Sequence, residues 1–164
     1  VLEQAMSHKY SQLLAEVAAD TLEQLAFIFS FTDDPDENAL WEDKVTGCHV
    51  TFDGPHQGEI LLAANSAVLP ELAANMLGMD DEEAPTREHQ EDALREALNV
   101  ICGNLLPKIG GIEAVFDISA PAVLPGDEMQ TKLEAFKSAH PEFGAAYLSL
   151  DEGECHIYLR YEGQ

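Results

Sequence analysis

The chain has 164 residues, enough for one domain with a substantial core, and we expect a single domain over residues 1–164. Its formal charge of −23 argues against nucleic acid and anionic membrane surfaces as partners, and its 46% hydrophobic content argues against disorder. A solubility or salt-tolerance trait of the host would explain the same charge. Three cysteines without metal-binding spacing indicate reduced, buried thiols, and no signal-peptide or membrane pattern is present, which predicts a cytoplasmic protein.

The N-terminal part of the sequence predicts a helix, a loop and a hairpin. Helical spacing of apolar residues indicates a long helix over Gln4–Phe29, whose apolar end is expected to enter the core. An acidic loop follows at Phe31–Lys44, with Trp41 as its expected anchor; a cation site there is less favoured than a solvated loop. Apolar alternation predicts strands at Val45–Asp53 and Glu59–Asn65, joined as an antiparallel hairpin.

Two helices are predicted next. The first covers Ser66–Met79, and an acidic linker at Asp80–Pro85 leads to the second at Thr86–Gly111. Thr86 is a suitable N-cap, and Pro107 followed by two glycines is expected to end this helix. Apolar side chains at three-and-four spacing predict its buried stripe: Leu94, Leu98, Ile101 and Leu105.

The C-terminal part of the sequence predicts strands around one acidic segment. Alternation predicts a strand at Ile112–Ala120, ended by Pro121, and Gly126–His140 is compatible with a helix. A second hairpin is predicted from Phe143–Leu150 and Glu154–Tyr161. This element order predicts an α+β fold, a mostly antiparallel sheet with long helices packed on one side.

The exposed face of the helix at Thr86–Gly111 is unusual. Glu96 and Asn99 lie side by side one turn apart, with Asp92 a turn before and Gly103 a turn after. Asn and Gly are poor residues for a helix interior, so the helix presents a flat polar patch that another backbone could approach. From the spacing alone, a solvated face with one amide bonded to a neighbouring loop is the simpler interpretation.

The context of these residues resembles a known family. Glu-x-x-Asn with Gly four residues later, in "EALNVICGNLLPKIGG" followed by "GIEAVFDISAPAVLPGD", is similar to the CheC/CheX family of chemotaxis phosphatases. A single such motif resembles CheX more than the two-motif CheC. The similarity covers nearly the whole chain and is weakest at Phe31–Lys44 and Gln130–Phe143. Ser119 and Pro121 match the strand-end pattern of the family, where a structural turn is the better interpretation.

The resemblance implies a phosphatase that hydrolyses the phospho-aspartate of a CheY-like response regulator. It implies that Asn99 orients the attacking water and that Glu96 docks to the regulator's Lys. Gly103 would let the partner backbone come close, and Asp92 would be an auxiliary partner contact, while Arg95 is interpreted as a solvated or docking charge. The implied Mg²⁺ lies on the partner receiver domain, and this chain is expected to bind no metal or cofactor.

The sequence contains no Ser-His-Asp arrangement, phosphate-binding Gly-rich loop or His-rich metal motif. Glu and Asn alone supply no nucleophile, which fits a protein that completes the active site of another protein. The second hypothesis is a non-catalytic binding module of the same fold for a response regulator or flagellar-switch component. A homodimer through an edge strand is also compatible with the predicted sheet.

Overall fold

The computed structural model describes residues 2–31, 36–80 and 82–162. Within these residues the chain forms four α-helices and six β-strands: α1 (Leu2–Ala26), β1 (Val45–Asp53), β2 (Gln57–Asn65), α2 (Leu69–Leu77), α3 (Arg87–Gly110), β3 (Asp117–Ile118), β4 (Ala122–Pro125), α4 (Gly126–Ala139), β5 (Gly144–Leu150) and β6 (Gly153–Glu162). Both predicted hairpins are present, as β1–β2 and β5–β6.

The strands form one antiparallel sheet in the order β3-β1-β2-β6-β5, and β4 pairs with β1. The edges are therefore β5 at one end and the β3–β4 segment at the other. Part of the β5 edge is covered, because Phe31 forms a bridge with Ser149 and the Ser11 hydroxyl accepts a hydrogen bond from the Ala145 N–H. The predicted α+β fold with an antiparallel sheet is confirmed.

Helices cover both faces of this sheet. The long helices α1 and α3 pack with α2 against one face, where Ile60 and Leu62 of β2 are buried. Helix α4 packs against the other face, where Leu61 and Ala63 are buried. The prediction of long helices on one side is right for α1 and α3. The position of α4 was not predicted, although an uninterrupted apolar run in β2 is typical of a strand covered on both faces.

Helix α4 approaches β1 closely at one glycine. A Cβ atom on Gly47 would lie 2.5 Å from the Cγ and sulfur of Met129, whose side chain is fully buried. Any larger residue at position 47 would require the Met129 side chain to move from its present position. The second core cluster, on the α4 face of the sheet, therefore depends on this glycine.

The predicted N-terminal helix ends earlier than expected. Helix α1 stops at Ala26, and Phe27 has a positive φ of 54° that turns the backbone out of the helix. Ile28 is buried in the extended segment that follows, whereas Phe27, Phe29 and Phe31 are 72%, 60% and 54% exposed. The expectation that this apolar segment enters the core is therefore wrong for the three phenylalanines, because extended backbone sends alternate side chains to opposite sides.

The predicted strand at Ile112–Ala120 is mostly absent. Only Asp117–Ile118 are paired, and Ile112 is 92% exposed in the turn after α3. Phe116 packs edge-on against Phe52 at 5.8 Å between ring centroids, which brings this segment across the end of α3 instead of along the sheet. The alternating pattern correctly identified Phe116 as a packed apolar residue, but the segment does not form a continuous strand.

After β3, the chain stays hydrogen-bonded to β1 through Ser119. The Ser119 N–H donates to the Thr51 carbonyl, and the Ser119 hydroxyl accepts from the Thr51 N–H, both at 2.9 Å. Strand β4, which the sequence did not predict, then continues along β1. These contacts support the structural interpretation of Ser119.

The acidic loop and the cysteines complete the comparison with the sequence. Residues 32–35, which contain two of the loop's six acids, lie outside the described residues. Leu40, not Trp41, is the fully buried residue of the remaining part, and the Asn65 side chain donates to the carbonyl of Leu40 at 2.7 Å.

The prediction of buried, unpaired cysteines is confirmed, and burial raises the pKa of all three thiols to about 12: Cys48, Cys102 and Cys155.

Candidate functional site

Helix α3 begins at a well-formed N-cap. The Thr86 hydroxyl accepts a hydrogen bond from the His89 N–H at 3.1 Å, and the Thr86 N–H donates to Nδ1 of His89 at 3.2 Å. This reciprocal pair satisfies two N–H groups that have no partner within the helix. The predicted start of the helix is confirmed, and the cap fixes the helix at the end nearest Asp92.

The buried side of α3 anchors it to the sheet. The four predicted core residues are at most 2% exposed: Leu94, Leu98, Ile101 and Leu105. Cys102 and Leu106 join them in the same core cluster. Because this side is fixed by packing, the opposite side of the helix has a defined orientation toward solvent.

The residues singled out in the sequence all lie on that opposite side. Asp92, Glu96, Asn99 and Gly103 are exposed, and we call these four residues the motif stripe. Helical geometry makes each a neighbour of the next and spreads the stripe over about 16 Å of the helix axis. The prediction that Glu96 and Asn99 are accessible and adjacent is confirmed.

Gly103 faces open space. A Cβ atom at this position would meet no atom within 4 Å, so packing within the chain does not require glycine here. Helix α3 continues through Pro107 to Gly110, with Gly111 as its C-cap, so the predicted end of the helix at the two glycines is confirmed. Since proline has no N–H, the carbonyl of Gly103 lacks its usual helical donor. The stripe therefore ends in a flat surface with an exposed backbone carbonyl.

Two ion pairs join charged side chains along α3. Nη1 of Arg95 lies 2.6 Å from Oδ1 of Asp92, and Nε of Arg87 lies 3.4 Å from Oε2 of Glu91. Asp92, predicted as a partner contact, is thus already paired within the helix. The i,i+3 spacing of Asp92 and Arg95 is the signal in the sequence from which this pairing could have been predicted.

The stripe lies on the exposed side of α3. A groove of about 470 Å³ lies at the end of the sheet where β1 is followed by β2, and its lining includes Thr51, Asp53, Gln57 and Arg160. Among the described residues, no three His, Cys, Asp or Glu side chains are grouped so that they could hold a metal ion. Within the same part of the chain, no helix is long and apolar enough to cross a membrane.

One polar cluster lies outside the motif stripe. Oε2 of Glu59 lies 3.8 Å from Nδ1 of His49 and 3.3 Å from Nζ of Lys132. Burial lowers the pKa of His49, and the nearby Lys132 acts in the same direction. The cluster joins α4 to the sheet and is not connected to the motif stripe.

Within the described part of the chain, the unpaired side chains of the stripe are the carboxylate of Glu96 and the carboxamide of Asn99, both exposed on α3. The amide of Asn99 can donate and accept hydrogen bonds, and the carboxylate of Glu96 can accept them from a cation. Neither group is itself a nucleophile for phosphoryl transfer in this arrangement. Such a surface is suited to entering the site of another molecule.

Comparison with known families agrees with this geometry. The model of the chemotaxis phosphatase CheX matches residues 46–143, more than half of the chain, and this range contains the whole motif stripe. The chain belongs to the CheX family. Comparison with curated protein sequences gives no match.

Solved structures with this fold include other CheX proteins. CheX from Desulfovibrio desulfuricans aligns with a TM-score of 0.66 and 17% identity, over 94% of this chain and 99% of that one. The CheX–CheY–BeF₃–Mg²⁺ complex from Borrelia burgdorferi gives 0.64 and 21%, over 93% and 97%. FliY from Thermotoga maritima gives 0.60 and 18%, over 98% and 89%. At these identities the likeness establishes the fold.

Proposed function

We propose that this CheX-family chain dephosphorylates the phospho-aspartate of a CheY-like response regulator. The observation that carries the proposal is the exposed, adjacent position of Glu96 and Asn99 on a helix whose other side is buried. Membership of a family of chemotaxis phosphatases supports it, as does the structural likeness to a CheX solved in complex with CheY.

Asn99 is the proposed water-positioning residue. Phosphoryl transfer depends mainly on alignment and charge stabilisation, and a carboxamide can hold a water in line with the phosphorus. The exposed amide of Asn99 can enter the partner's phosphorylation site without rearrangement of α3. The partner would supply the phosphoryl group and the Mg²⁺, and this chain would bind no cofactor of its own.

Glu96 is the proposed docking residue. Its carboxylate would form a charge-assisted hydrogen bond with the regulator's Lys, which fixes the register of the two proteins. Gly103 would let the partner backbone approach at the other end of the stripe. We place the reaction in the cytoplasm, which the three buried, unpaired cysteines support. A homodimer through an edge strand stays a prediction.

A non-catalytic binding module for a regulator or a flagellar-switch component would use the same surface. The absence of a nucleophile from the described stripe is compatible with both functions. The two functions differ in one respect, since only a phosphatase shortens the lifetime of the phosphorylated receiver.

The experiment compares Asn99→Ala and Glu96→Ala in single-turnover dephosphorylation, with binding measured separately to a BeF₃-loaded receiver. We expect Asn99→Ala to slow hydrolysis about 10²-fold, equivalent to about 2.7 kcal/mol, with little change in Kd. Glu96→Ala should raise Kd at least about tenfold. The matched control is Asn104→Ala, an exposed amide on α3 outside the stripe. Wild-type hydrolysis by Asn99→Ala would contradict the proposed role of Asn99, whereas binding without any hydrolysis by the wild-type chain would favour the binding module.

A further inference from the structure

The Asp92–Arg95 pair lies at the N-terminal end of the motif stripe. Asp92 accepts a hydrogen bond from Nη1 of Arg95 at 2.6 Å, and the two side chains are 63% and 38% exposed. Arg95 starts from the flank of the helix, so this bond draws its guanidinium toward the stripe. The guanidinium is therefore paired with Asp92 at this end of the stripe.

Positive charge is rare in this chain, and α3 carries three of its cations: Arg87, Arg95 and Lys108. The whole chain has eight Lys and Arg against 31 Asp and Glu. Measured along the helix axis between Cα positions, Arg95 lies about 6 Å from Asn99. By the same measure, Lys108 lies about 13 Å and Arg87 about 18 Å from Asn99. Arg87 is also paired with Glu91. Arg95 is therefore the cation of α3 nearest to the two proposed functional residues.

The guanidinium has donors left for a further partner. It carries five N–H donors, and Asp92 is its only acceptor among the residues that the structure describes. Guanidinium groups bind carboxylates in paired geometry, and a receiver site that holds Mg²⁺ requires carboxylate ligands. An acidic group on the partner therefore complements this position.

The direction of the side chain separates this contact from the phosphoryl group. Side chains on a helix lean toward its N-terminus, and Arg95 is bonded to a residue one turn back. At the level of Asp92, the guanidinium is about 10 Å along the axis from Asn99. This position suits a carboxylate beside the phosphorylation site and not the phosphoryl oxygens themselves.

We propose that Arg95 binds a carboxylate on the receiver beside its phosphorylation site, with Asp92 acting as the positioning residue that holds the guanidinium. The inference rests on the proposed function and changes one part of it, since the partner contact at this end of the stripe is Arg95 and not Asp92. Arg95 contributes to recognition, and Asn99 contributes to hydrolysis.

The test is a double-mutant cycle with Arg95→Gln, Asp92→Asn and the double variant. Kd is measured with a BeF₃–Mg²⁺-loaded receiver, and kcat with saturating phosphorylated receiver. Arg95→Gln should raise Kd about fivefold and leave kcat unaltered. Asp92→Asn should raise Kd less, and should add nothing when Arg95 is already Gln. Arg87→Gln is the matched control, because it breaks the other ion pair of α3, whose residues are not members of the motif stripe.

Three results would overturn the proposal. A fall in kcat with Arg95→Gln would place Arg95 in the reaction, and no change in Kd would leave the pair a structural feature of the helix. A further weakening by Asp92→Asn in the Arg95→Gln background would show that Asp92 contacts the partner directly. A wild-type chain that binds receivers and does not hydrolyse them would contradict the proposed phosphatase function while leaving this contact testable by Kd.

Discussion

Replacing Gly103 with alanine should move stability and partner binding in opposite directions. Gly103 lies in an exposed helix interior, and a Cβ atom there meets nothing within 4 Å. The free protein therefore gains helix propensity without a steric cost. If a partner backbone approaches at this position, the added methyl group occupies the space that it needs.

The expected magnitudes follow from these two facts. Gly→Ala in an exposed helix interior contributes about 1 kcal/mol of stability. For a chain of this size that corresponds to a rise in Tm of about 2–4 °C. A loss of about 1 kcal/mol in binding would raise Kd about fivefold. Gly103→Leu should weaken binding further, since a larger side chain excludes more of the partner.

Thermal unfolding and Kd for a BeF₃-loaded receiver measure the two effects on the same preparations. Asn104→Ala is the control, because it also improves helix propensity but lies outside the motif stripe. It should raise Tm and leave Kd unchanged. A lower Tm for Gly103→Ala would contradict the open space around this residue, and a higher Tm with unchanged Kd would remove Gly103 from the docking surface.

Three further predictions concern the core. Burial lowers the pKa of His156, so the folded state binds fewer protons than the unfolded chain. The free energy of unfolding should therefore fall as the pH drops below about 6.5, by at most about 1.4 kcal/mol per pH unit. His156→Gln should remove this contribution, as measured by urea titrations between pH 5 and 7. Cys48, Cys102 and Cys155 should resist a thiol reagent in the native protein and react on unfolding, since burial raises the pKa of each to about 12. Leu98→Ala should lower the free energy of unfolding by about 2–5 kcal/mol, measured by urea denaturation, because Leu98 is fully buried.

Helix α3 could be predicted from the sequence because its local signals agreed. The N-cap at Thr86 and the apolar period through Leu105 both act within a few turns of one helix. A period of 3.6 also fixes which residues face outward, so the exposed stripe followed once the buried side was known. The interpretation of Glu96 and Asn99 came from the family resemblance and not from their spacing.

The features that the sequence did not predict depend on contacts between distant segments. The position of α4 is set by close packing of Met129 on Gly47, 82 residues earlier in the chain. Phe116 has the alternation of a strand residue but packs on Phe52 at the end of α3. Apolar character also failed to distinguish buried from exposed residues at Phe29, where tertiary structure left a large side chain in solvent.

The most direct measurement is the decay of a phosphorylated receiver domain with this chain present at about one-tenth of the receiver concentration. We expect the wild-type chain to dephosphorylate the whole receiver pool, over many turnovers, faster than the receiver does alone. Asn99→Ala at the same concentration should leave the decay close to that of the receiver alone. An unchanged decay with the wild-type chain, while it binds the BeF₃-loaded receiver, would contradict a phosphatase function.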